Sequence, residues 1–169
     1  MNITVRFLLL IPILIVSCNS IPLQTSKSSP SELKPGWKSV EAGGSFSFHL
    51  PSTMREQKVQ GIDSYVGQYR NNNLQVSFDY GMYSAPMDKY SNEAEYKEIK
   101  KKIGGLDAVV IFFRQTTPAS KHRYFAGVHF SHVGGDRNTG ITRLTLHADF
   151  DRESDWETVQ TIFESIRFK

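Results

Sequence analysis

Residues 99–113, IKKKIGGLDAVVIFF, decide how this chain folds. Two strand-forming runs meet at Gly104-Gly105, and glycine pairs supply the positive φ that a two-residue hairpin turn needs. That turn sets Ile103 opposite Leu106, Lys101 opposite Ala108 and Ile99 opposite Val110. The second run, 106–113 (LDAVVIFF), is apolar at odd and even positions alike. Successive strand side chains point to opposite faces. Both faces of this strand therefore need cover, as in the middle of a sheet. The other outcome is an exposed patch of Val109, Ile111 and Phe113 that receives a partner. Burial is the preferred expectation.

Reading outward from this hairpin, the same period-two alternation recurs. Phe46, Phe48 and Leu50 alternate before Pro51 and predict a strand at 45–50. Leu74, Val76, Phe78 and Tyr80 predict another. Before it lie Tyr65, Gly67 and Tyr69, with Asn71-Asn72-Asn73 between. A two-residue Asn71-Asn72 turn sets Tyr69 opposite Leu74, Gly67 opposite Val76 and Tyr65 opposite Phe78. Residues 122–133 and 142–150 form a third pair around GGDRNTG. Its inward faces are Tyr124, Ala126, Val128 and Phe130 on one strand, and Leu144, Leu146, Ala148 and Phe150 on the other.

The chain closes with an amphipathic helix. Ser154 and Glu157 have the spacing of a capping box. Trp156, Val159, Ile162, Phe163 and Ile166 fall on one face at helical spacing. The final SIRFK reads as a short strand. The expected class is α+β: an antiparallel β-meander sheet with a C-terminal amphipathic helix packed on it.

The first 35 residues differ in kind. Arg6 precedes a continuous apolar run, 7–16, broken only by Pro12. A run of about ten residues suits a signal core and is too short to span a bilayer of roughly 30 Å. It ends Ile15-Val16-Ser17-Cys18. This resembles the lipobox of bacterial lipoproteins. The resemblance implies cleavage between Ser17 and Cys18, a thioether diacylglycerol on Cys18, and often a further acyl chain such as palmitate on the new amino group. The alternative is a plain secretory signal with a cysteine near its cleavage site. Cys18 is the chain's sole cysteine, so no intramolecular disulfide can form. In a Gram-negative host, Asn19 after the lipidated residue is compatible with outer-membrane sorting. Residues 19–35 are rich in Ser, Pro and Lys and read as a tether, with a reach of roughly 20–25 Å. The expected organisation is a signal peptide at 1–17, a lipidated start and linker at 18–35, and one α+β domain at 36–169. SFSFHLP near the start, with a helix and then SIRF at the end, is similar to small envelope proteins of the PsbP-like kind. That resemblance implies fold only.

Composition is that of an ordinary globular protein, with 22% charged and 39% hydrophobic residues. The net charge of +3 falls to +2 when Arg6 leaves with the leader, too weak a bias to expect nucleic acid. No phosphate loop, nucleophile elbow or zinc-protease helix is present. No cofactor is expected. His129 and His147 are a candidate metal pair, because pairing Val128 with Ala148 sets them opposite each other on the outward face. His129 and His132 would face opposite sides of their strand. Asp63 and Asp79 fall on opposite faces, with Asp63 opposite Tyr80. Lys100, Lys101 and Lys102, with Lys121 and Arg123, are candidate contacts for anionic lipid or an acidic partner. They serve equally as an edge that resists strand-to-strand association. Tyr80, Tyr83 and Tyr90 surround a loop, 82–92, that either packs or presents aromatics. The expected role is a membrane-anchored, non-catalytic binding or assembly module of the envelope, with the membrane and an envelope protein as partners. The alternatives are an envelope hydrolase with a dispersed site and a periplasmic metal or small-ligand binder.

Overall fold

The computed structural model describes residues 33–118, 120–136 and 140–169. Ser17, Cys18 and the leader lie outside them. The strands are β1 (Trp37–Ala42), β2 (Phe46–Pro51), β3 (Arg55–Gln57), β4 (Tyr65–Arg70), β5 (Leu74–Gly81), β6 (Ala94–Ile103), β7 (Leu106–Arg114), β8 (Tyr124–Asp136), β9 (Gly140–Phe150) and β10 (Arg167–Phe168), with one α-helix, α1 (Trp156–Glu164), among the described residues.

The expected single meander is instead two sheets. A three-stranded sheet runs β1-β2-β10, and a seven-stranded sheet runs β3-β4-β5-β9-β8-β7-β6. The larger sheet joins two meanders through an antiparallel β5–β9 pair that sets Val76 opposite Ala148 and Phe78 opposite Leu146. Each of these strands is apolar on one face, and the pairing fuses their faces into one floor.

β2, β10 and α1 cover that floor. Phe46, Phe48 and Leu50 of β2 are fully buried, as are Val159, Ile162 and Ile166. The Phe46 ring meets Phe78 edge-on at 5.3 Å, and Phe48 meets Tyr69 at 6.0 Å. Trp156 starts the helix 5.2 Å from Phe112. Ser165 locks the helix end to β2. Its hydroxyl donates to the Ile162 carbonyl at 2.6 Å and accepts the His49 backbone N–H at 2.7 Å. The chain then enters β10, which pairs Phe168 with Phe46.

The Gly104-Gly105 hairpin forms in the expected register, Ile103 opposite Leu106 and Ile99 opposite Val110. The other two hairpins slip by two positions, which preserves the face of every side chain. In the first, Arg70 pairs with Gln75 and Gly67 with Phe78. The cause is Asn71, whose Oδ1 accepts the N–H groups of Asn73 and Leu74 at 3.0 Å each, so Asn72-Asn73 form the turn. Gly67 leaves room for the Phe78 ring, which a Cβ there would strike. In the third, the tip pairs Gly134 with Thr142, but an irregularity between Phe130 and Gly134 brings Val128 opposite Leu146 rather than Ala148.

The capping box does not form. A 3-10 turn, Glu153–Asp155, precedes the helix, and no side chain caps its first N–H groups. The Asp155 carboxylate is instead gripped by Arg152, at 2.8 and 3.1 Å.

Replacing Phe46, where the two sheets meet, by alanine is expected to cost about 3–5 kcal/mol. Urea unfolding is the check: the midpoint should fall while the slope stays close to wild type.

Candidate functional site

The site follows from the strand order. β5 lies third in the seven-stranded sheet and β6 lies at its far edge. The connection between them must therefore cross β9, β8 and β7, about 19 Å at roughly 4.8 Å per strand. Residues 82–93 make that crossing over the face opposite the main core, as a strap.

Polar bonds fix the strap at its start. Ser84 is 1% exposed. Its hydroxyl lies 2.8 Å from Thr145 Oγ1, which lies 2.9 Å from the Ala85 carbonyl and 2.8 Å from His129 Nδ1. A hydroxyl has one proton and two lone pairs. Thr145 gives its proton to the Ala85 carbonyl, so Ser84 and His129 must both donate to Thr145. His129 therefore carries its proton on Nδ1. Burial holds its pKa below the ordinary 6.5, helped by Arg143 and opposed by Asp88. The Arg143 guanidinium also donates to the Met82 carbonyl.

Apolar contacts fix the middle. Met87 lies over Gly127, where an added Cβ would collide with its sulfur. Met87, Ile111, Phe113 and Phe125 form a second buried cluster, flanked by Tyr90, Tyr96 and Val109. Tyr90 lies 5.0 Å from both Phe113 and Phe125. This explains the two-faced apolar strand: Val110 and Phe112 of β7 enter the main core, while Ile111 and Phe113 are sealed by the strap. The patch expected as the alternative is closed by the chain itself.

The loop tyrosines divide. Tyr80 packs 5.5 Å from Phe46, Tyr90 holds the strap, and Tyr83 is 66% exposed.

The candidate histidine pair is not set directly opposite. His129 stands opposite Thr145, and His147 opposite Gly127. The histidines are offset by two positions on a covered face, because the irregularity in β8 moved the register. His147 stacks on Phe125 at 5.4 Å. Burial holds its pKa below 6.5, against the pull of Asp149, with Lys89 lowering it and Asp79 raising it. Among the described residues no group of three or more His, Cys, Asp or Glu side chains is placed to hold a metal ion. Asp79 faces Val66 and Thr145, and Asp63 lies before β4 rather than opposite Tyr80.

The basic residues fall into two groups. Lys100, Lys101 and Lys102 lie on the sheet's edge strand, β6. Lys101 bonds Glu164 at 2.6 Å and Lys102 bonds Asp107 at 2.9 Å, with Lys100 3.8 Å from Glu98. Lys121 and Arg123 are exposed beyond the other end of β7, so the groups do not merge into one patch. Between them, His122 Nδ1 lies 3.3 Å from Asp151 but is not aligned to hydrogen-bond it.

A cavity of about 190 Å³ lies under the strap, lined by Asp79, Lys89, Tyr90, Phe125, Thr145 and His147 among others. A larger hollow of about 400 Å³ lies beside β6, lined by Lys100, Lys102, Asp107 and His129 among others. Ser84, Met87, Gly127 and Thr145 were not singled out from sequence. Only Gly127 carried a signal, since a lone glycine inside a strand marks a close approach.

The antiparallel sheet backed by a helix is similar in fold to a solved PsbP-like protein. The solution structure of cyanobacterial PsbP (CyanoP) from Synechocystis sp. PCC 6803 matches 84% of this chain and 98% of its own, with a TM-score of 0.50 at 12% identity. At that identity the likeness is one of fold. No protein-family model and no curated protein sequence matches the chain.

Gly127→Ala is expected to lift Met87 and destabilise the fold by about 1–3 kcal/mol. Hydrogen exchange should show the strap amides losing protection more than those of β2.

Acid should also weaken the fold. His129 and His147 titrate below 6.5 in the native state, so the unfolded chain binds protons first as pH falls. Their contribution is intact above pH 6.5 and is lost as pH drops toward their lowered values. Urea midpoints across this range should fall with acid, and His129→Leu should flatten the fall.

Proposed function

We propose that the protein is a lipid-anchored, non-catalytic binding or assembly module of the cell envelope. The observation that carries this reading is the use made of the outer-face polar groups. Ser84, Thr145 and His129 hold the strap to the sheet. Their bonds fix a surface, and none of them activates a nucleophile. A rigid surface on a tether suits a protein that holds something else in place. The PsbP-like fold supports a scaffold of this kind without naming its partner. The lipobox at Ile15-Val16-Ser17-Cys18 supports the address. Two or three acyl chains on Cys18 would anchor the chain stably, at about 0.8 kcal/mol per buried CH₂. In a Gram-negative host the tethered domain would stand at the outer membrane.

Mass spectrometry of mature protein from envelopes is the test. The expected N-terminus is Cys18 carrying diacylglycerol. Cys18→Ala should retain the leader and should lose the cross-linked neighbours recovered with wild type. A bare Cys18 thiol in mature protein contradicts the anchor, and an unchanged set of neighbours contradicts the tethered role.

A further inference from the structure

The cavity under the strap has a chemical character of its own. Asp79 Oδ1 is buried there and has no hydrogen-bond partner among the described residues. Such an atom needs a donor. Thr145, directly across the strands, cannot supply one, because its single proton goes to the Ala85 carbonyl. Lys89 of the strap is exposed and contributes to the lining, with its ammonium 4.9 Å from the centre of the Tyr90 ring. The cavity therefore presents one carboxylate from the sheet and one ammonium from the strap, with aromatic walls of Tyr90 and Phe125. Burial lowers the pKa of His147 against the pull of Asp149, whose own carboxylate accepts a bond from Gln115. The volume of about 190 Å³ equals about six water molecules at roughly 30 Å³ each.

We propose that this cavity binds a small zwitterion of amino-acid size, its ammonium on Asp79 and its carboxylate on Lys89. A cation alone would meet Lys89, and an anion alone would meet Asp79. A molecule carrying both charges satisfies both ends, and the aromatic walls limit it to a short side chain. The strap would then be the element that admits and covers the ligand. This inference does not require the lipid anchor and stands or falls separately from it.

The test titrates the purified full chain with alanine, with ethylamine and with propionate, following amide and aromatic NMR shifts. Alanine is expected to shift Thr145, Phe125 and Tyr90 saturably and to bind more tightly than either single-charge probe. Asp79→Asn and Lys89→Gln should each weaken alanine roughly tenfold or more, as loss of a charge-assisted bond does. Three results would overturn the proposal: no saturable shift with any probe, meaning a cavity that holds only water; a single-charge probe binding as tightly as alanine; or unchanged alanine binding in a folded Asp79→Asn. If Asp79→Asn does not fold, the order of the three probes on wild type decides the matter alone.

Discussion

The antiparallel pairing of β5 with β9 is the constraint from which the rest of the molecule follows. Eight residue pairs, from Leu74 with Phe150 to Gly81 with Arg143, bring together segments far apart in the chain. The pairing makes one sheet of two meanders and gives the main core a continuous floor. It also strands β6 at the opposite edge from the end of β5, so the connection has no route except across the outer face. Asp79, Thr145 and His147 become neighbours only because these two strands lie side by side.

The two faces are held by different means. On the inner face, large aromatic and aliphatic side chains from β2 and α1 are withdrawn from water against the sheet, and apolar burial dominates. On the outer face the apolar cluster is small, and the strap depends on hydrogen bonds for its placement. Each such bond contributes only about 1 kcal/mol net. Breaking one partner costs more, because Ser84 and Thr145 are buried. Gly127 adds the steric half of the fit by admitting Met87. The strap is thus placed by buried hydrogen bonds at its start and by a steric fit at its middle.

Much of this was legible in the sequence, and the losses have identifiable causes. Alternation revealed the strands and their inward faces, since burial on one side imposes a period of two. The Gly104-Gly105 hairpin was read in full because turn and register are adjacent. The Asn71 turn slipped because an asparagine side chain can fold back on the backbone one residue later than the pattern implied. The irregularity after Phe130 left no mark in composition. The β5–β9 pairing was hidden because every inward-facing strand shows the same alternation, so the pattern does not name a partner. Both histidines lie on the strap-covered face, one bonded to Thr145 and the other stacked on Phe125, contacts that strand alternation does not specify. Thr145 and Ser84 look like ordinary polar residues until the strap is laid over them. The likeness to CyanoP confirms the kind of fold and leaves the role to the residues of this chain.

Cross-strand nuclear Overhauser effects test the central pairing most directly. Contacts between the backbone protons of β5 and β9 are expected, in particular Val76 with Ala148 and Phe78 with Leu146. Contacts from β5 to β6 in their place would mean a simple meander, with no strap across the outer face and no cavity beneath it.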